Sequence, residues 1–157
     1  MNYRNQLKKT DPAAFDRVLR STAVFYDSEI KVALELADCC LKQGEASGYY
    51  FIVAEHNERV LGYICFGPTP CTRASWDVYW IAVAKACQGR KLGAELLQLA
   101  EKKITGMQGI NIWIETSSRP EYFATRMFYQ KQGYRNISEL PDFYDYGDHK
   151  IVYGKHF

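Results

Sequence analysis

Hydrophobic positions along this chain recur with two periods, and the switches between them mark its elements. "YRNQL" reads as a short first strand. Asp11 ahead of Pro12 predicts a helix running to about residue 19, because a capping oxygen satisfies free N–H groups and proline suits the first helical position. Ile30, Ala33, Leu34, Ala37 and Leu41 recur at steps of three and four, so a second helix is expected from about residue 28 to 42, ended by "GEASG". Two apolar runs, "YYFIVAEH" and "RVLGYICFG", flank "HNER" as a hairpin would, and Pro68 and Pro70 then break the pattern.

A further strand, "WDVYWIAV", is expected over residues 76–83, followed by a helix through "LGAELLQLAEKKI" with Leu92, Leu96, Leu99 or Ala100, and Ile104 facing inward. "GINIWIETS" alternates, Ile110, Ile112 and Ile114 pointing one way and Asn111, Trp113 and Glu115 the other. A helix around residues 121–132 is stopped by Gly133, and two last strands are expected at 134–139 and 150–156. The sum is one α+β (mixed α/β) domain spanning residues 1–157, in which the strand, helix, strand centre at 76–116 implies a right-handed crossover between parallel strands.

Composition narrows the classes. At 157 residues with 47% hydrophobic and 24% charged residues, the chain suits a single globular core. Net charge is +2 with basic residues scattered rather than striped, which argues against nucleic acid as a partner. No apolar run approaches a membrane span and "MNYRNQLKK" lacks a signal-type stretch, so no membrane partner and a cytoplasmic location are expected. The five cysteines (Cys39, Cys40, Cys65, Cys71, Cys87) show no metal spacing and His56, His149 and His156 lie far apart, so no metal is expected.

Chemistry concentrates at Gln88-Gly89-Arg90-Lys91-Leu92-Gly93-Ala94, between the strand at 76–83 and the helix that follows. Free N–H groups and the positive dipole end at a helix start form an anion site, glycines permit close approach, and Arg90 and Lys91 add charge. A pyrophosphate fits there, although neither GxxxxGK[ST] nor GxGxxG is present.

These residues resemble the QxxGx(G/A) motif with which the GNAT superfamily of N-acetyltransferases holds the pyrophosphate of coenzyme A. Gln88 and Gly93 match it, and "MFYQKQGY" at 127–134 is similar to the family's "FYxKxGF" on the next helix. Lys91 stands where the family most often has its first motif glycine, and Tyr122 where it often has an Asn that touches the coenzyme. The resemblance implies a central mixed sheet of about six or seven strands with about four helices. It also implies acetyl-CoA as acyl donor, no metal, an amine acceptor that is a small molecule or peptide, and a possible homodimer.

Transfer from a thioester to an amine needs an anchored donor, an oxyanion partner, a base for the ammonium proton and an acid for the thiolate. The resemblance assigns the donor site to Gln88, Gly89, Arg90, Lys91, Leu92, Gly93, Ala94 and Phe128. It assigns the oxyanion contact to a backbone N–H among Ile81, Ala82 and Val83, where the fourth strand leaves the fifth, and the acid role to Tyr129. Asp77 and Glu115 are the rival bases, and period-two alternation places Asp77 on the face of Ile81. "LPDFYDYGDHK" at 140–150 sets Asp142, Asp145 and Asp148 among aromatics in a connection suited to a cationic amine, with Trp76, Trp80 and Trp113 near it. Two other readings stay open: a coenzyme-binding or sensor module that transfers nothing, and an interaction protein with a Tyr-rich surface.

Overall fold

A computed structural model describes Met1–Phe157. Seven strands form one sheet: β1 (Asn2–Arg4), β2 (Tyr50–His56), β3 (Arg59–Pro68), β4 (Ser75–Val83), β5 (Asn111–Ser117), β6 (Arg135–Asp145) and β7 (Asp148–His156), in the order β1-β2-β3-β4-β5-β7-β6. The four α-helices are α1 (Asp11–Thr22), α2 (Asp27–Gln43), α3 (Leu92–Gly106) and α4 (Phe123–Lys131). Only β4 and β5 run parallel, joined through α3 as the strand, helix, strand pattern requires. The mixed α+β class expected from the sequence is the one observed.

Each face of the sheet is covered differently. On one face Leu92, Leu96, Leu97, Ala100 and Ile104 of α3 and Tyr129 of α4 pack on Ile52, Ile64, Phe66, Val78, Ile112, Ile114 and Tyr153. On the other, Phe15, Val18 and Leu19 of α1 and Ile30, Ala33 and Ala37 of α2 cover Phe51, Val53, Tyr63 and Cys65. Those two helices cover the β2, β3 and β4 side, whereas Trp113, Lys150 and Val152 on the same face stay half-exposed. A cleft therefore opens where helical cover ends, over β4 and β5.

Several boundaries differ from the expectation for local reasons. The β2–β3 turn is the two-residue Asn57–Glu58, both at positive φ, the geometry that follows the right-handed twist of a hairpin. Ile110 lies outside β5 and is exposed. The segment at 140–150, expected as a connection, belongs mainly to the β6–β7 hairpin, turning at Tyr146 and Gly147. β6 is an exposed edge, and Pro141, the positive φ of Asp142 and the register break between Leu140 and Asp145 all interrupt a regular pairing edge there.

Lys91 caps α3 at φ 65°, the left-handed conformation for which glycine is suited. We expect Lys91→Gly to be more stable than Lys91→Ala by about 1 kcal/mol in denaturant unfolding, because alanine keeps the Cβ strain that glycine relieves; equal midpoints would refute this.

The N-terminal strand is tied by charge. Glu55, 7% exposed, accepts from Arg4 Nε at 2.9 Å, Lys8 Nζ at 3.1 Å and Asn2 Nδ2 at 3.1 Å. The bonds to Arg4 and then Lys8, against the opposing effect of burial, pull its pKa from 4.5 to about 2. A depressed carboxylate stabilises the fold above its unfolded pKa and loses that contribution as pH falls through the folded value. Glu55→Gln is thus expected to lower the thermal midpoint at pH 7 by about 2–8 °C, the gap closing toward about pH 2; a gap that persists in acid would show that the charge is not its source.

Candidate functional site

Backbone geometry opens the site. β4 and β5 pair only from Ser75↔Asn111 to Val78↔Ile114, and residues 79–83 and 115–117 then part company. The cause lies on the other edge of β4: Cys65 pairs with Trp80 but Phe66 with Val78, so Tyr79 is an extra residue, a bulge that bends the strand. The bulge also corrects the alternation. Trp76, Val78, Ile81 and Val83 face α3, while Tyr79, Trp80 and Ala82 pack toward α1 and α2. Asp77, between Trp76 and Val78, therefore lies on the face opposite Ile81, not the same one.

At the end of β4 a short 3-10 turn, Lys85–Cys87, leads to the basic knot. Gln88 Nε2 donates to the Val83 carbonyl at 3.2 Å, so this side chain braces the turn against β4. Gly89 at φ 75° and Lys91 at φ 65° curl the chain into α3. The backbone N–H groups from Gly89 to Ala94 donate to no protein acceptor, six consecutive donors at a helix start. Arg90 and Lys91 are exposed and make no ion pair, and Leu92 is buried as the helix's first anchor. A Cβ on Gly93 would stand 3.6 Å from the Phe128 ring, so the start of α3 lies against α4.

Tyr129, 5% exposed, sits among Phe128, Tyr134 and Tyr153 with ring centroids 5.4–6.2 Å away. Its hydroxyl makes no hydrogen bond within the protein, and burial, with Tyr153 nearby, pushes its pKa well up. The phenol is held neutral and undissociated. Thr116, where β5 still pairs with β7 but has left β4, buries its Oγ1 without a partner.

Across the sheet, Asp77 pairs with Gly67 and Trp113 in the ladders, is half-buried and makes no ion pair. Burial raises its pKa, the nearby Thr69 hydroxyl opposes this, and the charge of Glu115 adds to it. Glu115, by contrast, is exposed and bound by Lys150 Nζ at 3.0 Å, with that ammonium 3.7 Å from the centre of the Phe143 ring. Tyr79, beside Asp77, is pushed up to about 12 by burial and then by the Asp77 charge.

The three aspartates expected to meet an acceptor are engaged within the fold. Asp142 accepts from the Gly147 N–H at 2.7 Å, Asp145 from the Tyr146 N–H at 2.8 Å, and Asp148 from the Ser117 hydroxyl at 2.5 Å. Trp76 is core, Trp80 lies 6.2 Å from Phe25 at the α1–α2 junction, and Trp113 lies over Gly154. Arg119, Tyr122, Glu29, Tyr26 and Tyr144 complete the cleft; of these only Tyr122, at the position of the family's coenzyme-touching Asn, was singled out from the sequence. Tyr122 is buried and donates to Glu29 Oε1 at 3.2 Å, so it braces α2. Tyr144 is pushed up to about 12 by burial and then by the charges of Glu115, Asp148 and Glu29. Arg119 and Tyr122 fall in an "SSRPEY" turn after a strand, too ordinary to signal a site, and nothing local sets Tyr26 or Glu29 beside them. A separate cavity of about 480 Å³, lined by residues including Trp113, Arg135, Gly154 and His156, lies at the far end of β5 from the fork.

The model of the acetyltransferase (GNAT) domain matches residues 47–136, which contain the fork, the knot and α4. A curated N-acetyltransferase of Methanocaldococcus jannaschii, itself uncharacterized, is 31% identical over 102 residues, 65% of this chain and 63% of that protein, so the chain spans less than two thirds of that relative. A Desulfovibrio desulfuricans protein assigned to the GNAT family of acetyltransferases superposes with a TM-score of 0.96 at 38% identity, covering 99% of this chain and 98% of that one. The ribosomal-protein-alanine N-acetyltransferase of Brucella melitensis (TM-score 0.79, 18% identity, 100% of both chains) and an aminoglycoside 6'-N-acetyltransferase bound to coenzyme A (0.78, 17%, 99% and 97%) share the fold. With its Gln88–Ala94 turn and Phe128-Tyr129 helix inside the matched segment, this chain belongs to the GNAT acetyltransferase family.

Proposed function

We propose that the protein is an acetyl-CoA-dependent N-acetyltransferase in which donor and amine approach the β4–β5 fork from opposite faces of the sheet. One observation carries this reading: the fork has free helix-start amides and Tyr129 on the α3 and α4 side, and a half-buried carboxylate without a cation, Asp77, on the other. The residues suit the donor. Six unpaired amides with Arg90 and Lys91 can receive a pyrophosphate, and the orphaned Thr116 hydroxyl adds a hydrogen-bonding group beside the gap. Lys91 keeps the left-handed turn that a glycine would make, which removes part of the reason to read the site as disabled.

The chemistry follows from protonation states. An alkyl amine is mostly an ammonium at neutral pH, so a base must take its proton before attack. Asp77 is the better placed carboxylate, since Glu115 is neutralised by Lys150. As a short side chain it acts through a water. Backbone N–H groups on the open edge of β4, among residues 81–83, meet the charge that develops on the carbonyl oxygen. Neutral Tyr129 supplies a proton to the departing thiolate.

Calorimetry with acetyl-CoA followed by thiol release with a panel of amines tests the reading; no heat at hundreds of micromolar would remove it, and binding without thiol above background would make the chain a coenzyme-binding module. Tyr129→Phe is expected to slow turnover by about 10²–10⁴-fold without loss of coenzyme binding, and unchanged turnover would remove the acid role. Asp77 must be deprotonated to act, so turnover should fall as pH drops through its raised pKa. Because the folded state disfavours its charged form above the ordinary pKa, Asp77→Asn should also raise the thermal midpoint at pH 7 while lowering turnover. A variant that is less stable and fully active would contradict both statements.

A further inference from the structure

Resting on the transferase reading above, we propose that Arg119 is a positioning residue that clamps the α1–α2 junction over the fork and so sets affinity for the amine, not for the coenzyme. Its guanidinium carbon lies 4.2 Å from the centre of the Tyr26 ring and 5.1 Å from that of Tyr122. Its edge faces two carboxylates, Asp148 Oδ2 at 3.5 Å and Glu29 Oε2 at 3.8 Å. The planar, permanently charged group thus joins three separate pieces of chain: the start of α2, the start of β7 and the turn after β5.

Both ends of the clamp are themselves braced. At β5, Ser117 Oγ accepts from the Arg119 backbone N–H at 3.0 Å and donates to Asp148 Oδ1 at 2.5 Å, and Arg126 Nη1 donates to the Ser117 and Arg119 carbonyls at 2.8 and 2.9 Å. At α2, Glu29 accepts from the Tyr26 N–H at 2.7 Å and from the Tyr122 hydroxyl at 3.2 Å. The held element is the short run between α1 and α2, beginning at Ala23 with φ 55°. Its Phe25 packs 6.2 Å, centroid to centroid, from both Trp80, where β4 has left β5, and Tyr122.

Location assigns the role. The junction lies on the Asp77 face, where β5 and β7 carry no helix, so it is one wall of the space an acceptor enters. Tyr129 and Leu92, the first residue of α3, belong to the core on the other face of the sheet. Loosening the clamp should let one wall drift while leaving the donor site intact.

The full chain is compared with Arg119→Ala, Arg119→Lys and Tyr26→Ala by three measurements: acetyl-CoA binding in a calorimeter, backbone amide exchange over residues 23–30, and KM and kcat for the amine of the panel that releases most thiol. Arg119→Ala and Tyr26→Ala are expected to raise amine KM about tenfold with coenzyme Kd within about twofold of the starting value, and to speed exchange over 23–30 but not in α3. Arg119→Lys, which keeps charge and loses the plane, should fall between. Unchanged exchange over 23–30, or a coenzyme Kd that rises while amine KM stays put, overturns the clamp. Tyr26 is 59% exposed, so its variant decides the matter even if Arg119→Ala does not fold. Failure of the unaltered chain to bind acetyl-CoA sinks the transferase reading instead, and the exchange measurement still judges the clamp.

Discussion

The parting of β4 from β5 is the constraint on which this molecule turns. A parallel pair with helices on its faces would ordinarily stay zipped, because each broken ladder bond leaves a donor and an acceptor that need partners. Here the extra residue at Tyr79 bends β4 away after Val78, and the tight helical turn at Gly89 and Lys91 carries the chain off at the end of the diverging strand. The gap so made is polar-edged and lined by protein on both sides, which suits an extended thioester arm better than bulk solvent does.

The same bulge decides which side chains cooperate. Without it, alternation would set Asp77 beside Ile81, with the proposed base and the proposed oxyanion contact on one face. With it, Trp80 and Tyr79 share a face with Asp77, while Ile81 and Val83 turn to α3. On the proposed reading, donor and acceptor chemistry are thereby divided between the two faces and meet through the gap. This division explains why Tyr129 can be buried in an apolar core while Asp77 sits in a half-open cleft.

Much of this was legible in the sequence, for identifiable reasons. Long periodic segments such as α2 and α3 declare themselves, and a basic, glycine-bearing turn between strand and helix is a local signal with a local cause. The bulge at Tyr79 was not legible, because one extra residue within "WDVYWIAV" leaves the apolar run looking continuous. The β6–β7 hairpin was also misplaced, since Pro141 and the run of aspartates read as a loop, whereas pairing resumes at Asp145↔Asp148 beyond them. Arg119 stayed hidden because its partners, Tyr26, Glu29, Tyr122 and Asp148, are assembled only by the fold.

One carboxylate of the cleft stands apart from the others. Glu115 has Lys150; Glu29 and Asp148 share Arg119 and hold further hydrogen-bond donors. Asp77 alone faces the cleft with no cation, next to a bulge and half removed from water. Such a group opposes folding in its charged form, and a fold selected only for stability would replace it with a neutral residue of the same shape. Its place beside the opening of the sheet accords with the proposed base role, in which it neutralises the charge of an approaching ammonium and accepts its proton.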